Sequence, residues 1–148
     1  MQAIIFIGIQ ATGKSTFYKT NFLNSHVRLS MDLLNTRNKE KQFLETCFNT
    51  HSRFVIDNTN PTLEERKKYI ALAKENKYEV VGYYFSSSIE EAIKRNNLRT
   101  GKEKIPEVGI RGCYGKLEIP KIDEGFDKLY FVKASHGEFK VDDWKDEI

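Results

Sequence analysis

A three-layer α/β sandwich, with parallel strands joined by crossover helices, is the fold class this chain predicts. Short apolar runs alternate with stretches of helical periodicity along its 148 residues, and the first apolar run breaks into the segment GIQATGKST (residues 8–16). No repeat, low-complexity tract or Pro/Gly-rich linker divides the chain, so a single domain over 1–148 is expected.

The elements follow in order. Ala3 to Ile7 reads as the first strand, and a helix starts within GKST and runs to about Phe22. Val27 to Leu29 is a short second strand. Phe43, Leu44, Cys47 and Phe48 fall at helical spacing, predicting a helix over 38–50. Phe54 to Ile56 forms a brief buried strand ending at Asp57. After Pro61, Thr62 and Glu65 make a capping-box pair that starts a helix to about Glu75, with Leu63, Ile70 and Ala73 on its inner face. Tyr78 to Phe85 is a strand. Ser88 and Glu91 repeat the capping pattern ahead of a buried stripe of Ile89, Ala92 and Ile93. From Thr100 to Lys121 the pattern weakens into a basic insertion carrying four glycines and two prolines, and Leu129 to Val132 closes as a late strand.

Composition sets outer bounds. Seventeen Phe and Tyr and one Trp supply a core. Cys47 and Cys113 show neither metal-ligand spacing nor a disulfide framework, which suits a reducing compartment. The opening IIFIG run is too short for a signal-peptide core or a membrane span, so a cytoplasmic protein is expected, without a membrane partner. Charge is unevenly spread. Residues 94–121 hold eight Lys/Arg against three Glu, whereas residues 138–148 hold five acids and two lysines. The basic stretch is either a solvated face or a surface for phosphates. The acidic tail has no assigned role, and Trp144 within it is expected to pack.

Residues 8–16 carry the most specific chemistry. Gly8, Gly13, Lys14 and Ser15 satisfy G-x-x-x-x-G-K-[ST] between a strand and a helix. The glycines let backbone N–H groups from Gly8, Ile9, Gln10, Ala11, Thr12, Gly13 and Thr16 wrap a phosphate, aided by the helix N-terminus. Lys14 reaches the β- and γ-phosphates and the Ser15 hydroxyl ligates Mg²⁺, so ATP with Mg²⁺ is the expected ligand. A guanine-reading segment is missing, because Asn76-Lys77-Tyr78-Glu79 has Glu for Asp and leads into a strand.

Three further groups suit a small kinase. Asp32 follows the second strand, whose C-terminal end faces the ligand crevice, and reads either as a base for an acceptor hydroxyl or as a helix N-cap. Asp57 ends a strand and is followed by the polar Asn58, Thr59 and Asn60, a phosphate-site pattern or a plain strand-to-turn. Arg95 and Arg99 stand four residues apart on one helix face, suited to a transferring phosphoryl group, with a glycine- and lysine-bearing hinge behind them.

These blocks, in this order, resemble the kinase domain of polynucleotide 5′-hydroxyl kinases. The resemblance rests on GIQATGKST, the Asp32 of SMD, DNTNPTLEERKKYI, EEAIKRNNLR and IPKIDEGFDKLYF, and spans most of the chain. It implies a P-loop kinase fold with a parallel five-stranded sheet and an arginine-bearing lid over about 95–118. It also implies transfer of the γ-phosphate of ATP to the 5′-hydroxyl end of DNA or RNA. Asp32 would be the general base. Lys14 and Ser15 would hold the triphosphate and its magnesium, and Asp57, Asn58, Thr59 and Asn60 would lie between donor and acceptor. Arg99 would stabilise the transferring group with Arg95 assisting at the nucleotide. Where phage relatives place an arginine three residues after the base, this chain has Asn35, close to Arg37. No D-x-D-x-T phosphatase signature occurs, so a stand-alone kinase is expected. A small-molecule hydroxyl kinase and a non-catalytic nucleotide-dependent binding module remain the alternatives.

Overall fold

The computed structural model describes residues 1–86, 88–135 and 137–145. Six strands form one sheet in the order β2-β3-β1-β4-β5-β6: β1 (Gln2–Ile7), β2 (Val27–Leu29), β3 (Phe54–Ile56), β4 (Glu79–Ser86), β5 (Lys128–Ser135) and β6 (Glu138–Asp143). The first five are parallel. In the central pairings Ile4 faces Val55 on β3 and Val81 on β4.

Alternation along these strands creates two apolar faces. Ala3, Ile5, Ile7, Leu29, Phe54, Ile56 and Val80 pack against Leu44 and Cys47 of α3 (Arg37–Asn49) and Tyr69, Ile70 and Ala73 of α4 (Leu63–Glu75). On the other side Ile4, Phe6, Val55, Phe85 and Val132 cover α1 (Lys14–Asn21) through Phe17 and Tyr18, with Phe22 just beyond it. Edge-to-face rings such as Phe6–Phe17 (centroids 5.8 Å apart) tighten this layer. Three layers result, as expected.

Local signals placed most helices. Thr62 accepts from Glu65 N while Glu65 accepts from Thr62 N, the reciprocal box that starts α4. Ser88 accepts from Glu91 N at the head of α5 (Ile89–Asn97). Asn76 caps α4 and Lys77 takes φ 62, so the guanine look-alike is a helix end and turn.

Several expectations are corrected. The sheet has six strands instead of five, because residues 138–143 pair antiparallel with β5 in the register Val132↔Val141. The alternating Phe139 and Val141 signal was masked by acidic neighbours on a one-sided edge strand. Residues 146–148 of the acidic tail lie outside the described residues. Trp144 packs as expected, edge-on against Tyr84, and its backbone N–H donates to Leu129 O. In α4 the buried face is Arg66, Tyr69, Ile70 and Ala73, whereas Leu63 is exposed. The weakly patterned 100–121 stretch contains a 3₁₀ turn (Gly101–Glu103) and a helix, α6 (Glu107–Lys116). Ile110 and Cys113 of α6 pack with Ala92 on Ile9 and Ala11 of the phosphate loop. Among the described residues no helix is long and apolar enough to cross a membrane.

Candidate active site

Three adjacent parallel strands, β2, β3 and β1, deliver their C-terminal ends to one cleft of about 270 Å³. From β1 comes the phosphate loop. Its Gly13 adopts φ 96 as the N-cap of α1, and a Cβ there would meet the Phe139 ring at 2.8 Å, so any side chain at this position is strained. Gly8 N donates to Thr59 O at 3.0 Å, fixing the loop to the segment after β3.

Lys14 folds back over its own loop. Its Nζ donates to Gly8 O (2.9 Å) and Ile9 O (2.7 Å), and burial pushes its pKa down to about 8, partly offset by the Asp57 carboxylate. The cation is thus held, buried, against the carbonyls of its own loop.

The end of β2 leads into a one-turn helix, α2 (Met31–Leu34). Ser30 is its N-cap, accepting from Asp32 N at 3.3 Å, so the Asp32 side chain is not the cap; it is exposed and lines the cleft. Asn58 positions this turn by accepting from Met31 N at 2.9 Å. Its Nδ2 donates to Glu40 Oε2 at 3.1 Å. Glu40 is a buried carboxylate on α3 that also accepts from Tyr69 Oη (2.9 Å) and Arg37 (3.1 Å). Burial and the Glu40 charge drive the Tyr69 pKa well above the ordinary phenol value.

At the end of β3, Asp57 is buried and meets Ser15 and Arg28 together. Ser15 Oγ donates to Asp57 Oδ2 at 3.2 Å, Arg28 Nε donates to the same oxygen at 2.8 Å, and Arg28 donates to Ser15 Oγ at 3.1 Å. A hydroxyl and a carboxylate this close form a hard-oxygen donor pair that suits Mg²⁺, and the guanidinium lodged there shows that the corner accepts a cation.

The fourth wall comes from the segment after α5, and because that helix ends at Asn97, Arg99 lies beyond it instead of sharing a helix face with Arg95. Asn96 is buried and clasps Ile105, whose N donates to Asn96 Oδ1 at 2.8 Å, so the chain turns back and brings Ile105 into the cleft. Arg99 lines the cleft and donates to Glu103 O at 3.2 Å. Arg95 reaches Ala11 O at 3.4 Å, outside the cleft wall.

Of the residues singled out from the sequence, the cleft therefore gathers Gln10, Ala11, Gly13, Lys14 and Ser15 of the loop, with Asp32, Asp57, Asn58, Thr59 and Arg99. Gly8, Ile9, Thr12 and Thr16 complete the loop without lining the cleft. Asn60 lies elsewhere: it is buried with φ 44, and its amide donates to Phe6 O at 2.7 Å, a lock between the β3 loop and β1. Asn35, with φ 69, ends α2 and points its amide at Leu33 O. The cleft takes Arg37 instead, half-exposed and steadied by Glu40 and Tyr69 (3.0 Å). Sequence reading also missed Arg28, although a lone cation in the apolar strand Val-Arg-Leu was a usable signal. Apart from the Arg37–Glu40 pair three residues apart, nothing local marked Glu40 or Tyr69, whose other hydrogen-bond partners lie 18 to 32 residues away. Among the described residues no group of three or more His, Cys, Asp and Glu side chains forms a metal cluster.

The chain is 28% identical over 130 residues to the bifunctional polynucleotide phosphatase/kinase of Schizosaccharomyces pombe, covering 84% of the chain and 32% of that protein. It is 31% identical over 153 residues to a putative bifunctional polynucleotide phosphatase/kinase of Acanthamoeba polyphaga mimivirus, covering 97% of the chain and 36% of the relative. The chain thus spans about a third of the length of these relatives. Among solved structures, Kti12 of Chaetomium thermophilum in complex with ADP-AlF3 superposes with a TM-score of 0.63 at 14% identity, covering 88% of each chain. A gluconokinase from Sinorhizobium meliloti superposes with a TM-score of 0.58 at 16% identity, covering 89% of this chain and 82% of the other. These likenesses establish a P-loop kinase fold, here with an antiparallel strand added at the sheet edge. The AAA domain model (AAA_33) matches residues 4–111, and the chain belongs to that family of P-loop proteins.

Proposed function

We propose that this chain transfers the γ-phosphate of ATP to the 5′-hydroxyl end of DNA or RNA. The observation that carries the reading is convergence: the phosphate loop, the exposed carboxylate of Asp32 and the guanidinium of Arg99 line one cleft, although 85 residues separate Lys14 from Arg99. Similarity to two polynucleotide phosphatase/kinases over most of the chain supports the choice of acceptor.

Each residue has a part in the step. The loop N–H groups and Lys14 hold the triphosphate. Mg²⁺ bound with ATP would be held by Ser15, with Asp57 beside it, and would supply charge neutralisation across the β- and γ-phosphates. Asp32 accepts the proton of the 5′-hydroxyl as its oxygen bonds to Pγ and the Pγ–O bond to the β-phosphate breaks, releasing ADP. Arg99, on a lid formed by about 95–118, meets the charge that builds on the equatorial oxygens, and Arg95 steadies the loop side. Asn58 and Thr59 lie between donor and acceptor, with Arg37 on the acceptor side in the role that position 35 lacks.

The test is incubation of the protein with γ-labelled ATP, Mg²⁺ and an oligonucleotide bearing either a 5′-hydroxyl or a 5′-phosphate. Label on the first and none on the second is expected. Absence of label on both, with label appearing on a sugar or nucleoside hydroxyl, would overturn the proposal.

A further inference from the structure

The Ser15–Asp57 corner is already filled by a side chain. Arg28 projects from the edge strand β2 on the same sheet face as Val55, its partner in register, toward the first turn of α1. Its Nε takes Asp57 Oδ2 at 2.8 Å and its terminal nitrogen takes Ser15 Oγ at 3.1 Å, while Ser15 donates to that same carboxylate oxygen at 3.2 Å. The three groups close a ring. The Asp57 side chain is 3% exposed and that of Arg28 27%, so the anion is fixed and the cation's side chain has a way out to solvent.

This ring conflicts with a divalent ion. Arg28 takes one of the two Ser15 lone pairs, and a divalent cation placed on the other would stand roughly 4 Å from a guanidinium, where like charges repel strongly in a partly buried site. We propose that Arg28 is an internal cation of the nucleotide site that is exchanged for Mg²⁺ when the metal–nucleotide complex binds. Metal and arginine compete for Ser15, and Asp57 serves both. Without metal, the arginine leaves the site a positive charge close to the phosphates, so ATP binding depends less on Mg²⁺ than a bare serine–aspartate pair would make it. The inference rests on reading the cleft as an ATP site.

The experiment measures binding of a fluorescent ATP analogue, without acceptor, in EDTA and in saturating Mg²⁺. Its readout is the ratio of the two dissociation constants. Arg28→Gln, which removes the charge, is expected to raise that ratio about tenfold over the unaltered protein, by weakening metal-free binding and strengthening metal-dependent binding. Arg28→Lys keeps the charge but loses the fork that spans Ser15 and Asp57, and raises the ratio by less; it carries the test if Arg28→Gln does not fold by circular dichroism. An unchanged or smaller ratio in a folded variant overturns the exchange. If the unaltered protein binds no analogue in either condition, the ATP reading itself fails, an outcome distinct from binding with an unaltered ratio.

Discussion

Arg66 and Glu124, 58 residues apart in sequence, form a two-pronged ion pair inside the protein. Arg66 Nε and a terminal nitrogen reach the two Glu124 oxygens at 2.8 and 3.1 Å, with the side chains 0% and 3% exposed. The remaining Arg66 nitrogen donates to Asn60 O at 2.9 Å. The pair therefore ties α4 and the turn before β5 to the loop that carries Asp57, Asn58 and Thr59. Replacing Glu124 with Ala strands a buried guanidinium, and urea unfolding is expected to show a loss of about 3–5 kcal/mol. A loss within the range of an exposed ion pair, below about 1 kcal/mol, contradicts this role.

Tyr69 gives a pH signature. Its folded pKa is raised above the ordinary phenol value, so the folded state keeps a proton that the unfolded state releases above about pH 10. Fewer protons on the unfolded chain mean that stability falls as pH rises through that region, by up to about 1.4 kcal/mol per unit for this group. Tyr69→Phe, which leaves Glu40 short of a donor, should cost about 1–2 kcal/mol at pH 7. The deficit of Tyr69→Phe relative to the unaltered protein should then shrink between pH 9.5 and 11. Parallel stability curves over that interval refute the assignment.

Gly13 combines a left-handed backbone with a ring against the place of its missing side chain. Gly13→Ala is expected to lower stability by about 1–2 kcal/mol and to weaken ATP binding at least tenfold, read by thermal melting and by calorimetric titration. Binding equal to that of the unaltered protein speaks against the loop as the phosphate grip.

Arg99 tests the lid. Arg99→Ala should lower the end-labelling rate by about 10²–10³, with ATP affinity changed far less, because the side chain acts on charge that develops during transfer. Equal losses in rate and in nucleotide affinity place Arg99 in ground-state binding instead.

Local signals made much of the architecture legible. Capping residues at Thr62 and Ser88, the apolar runs of β1, β3 and β4, and the phosphate loop each depend on neighbours within a few positions, and each falls where the sequence puts it. What escaped depends on distant partners. β6 exists because β5 offers a free edge, and Trp144, expected to pack, has its partner Tyr84 60 residues away. α6 is interrupted by Gly109, Gly112 and Gly115, weak helix formers, and its two inward residues, Ile110 and Cys113, take their meaning from Ile9 and Ala11. The site divides the same way. Asp32 and Asp57 are marked by the strands before them, whereas Arg28, Arg37 and Glu40 enter through contacts between elements, with Asp57, Tyr69 and Asn58 respectively. Asn60 carries the polar chemistry of its neighbours but turns inward, because its left-handed backbone aims the amide at β1.

The most direct test of the central claim compares the unaltered protein with Asp32→Asn, which keeps size and polarity and removes the base. With a 5′-hydroxyl oligonucleotide and γ-labelled ATP, the account predicts end-labelling by the unaltered protein and a fall of about 10²–10⁴ in the variant, with ATP affinity within twofold. Labelling by Asp32→Asn at the unaltered rate would contradict it.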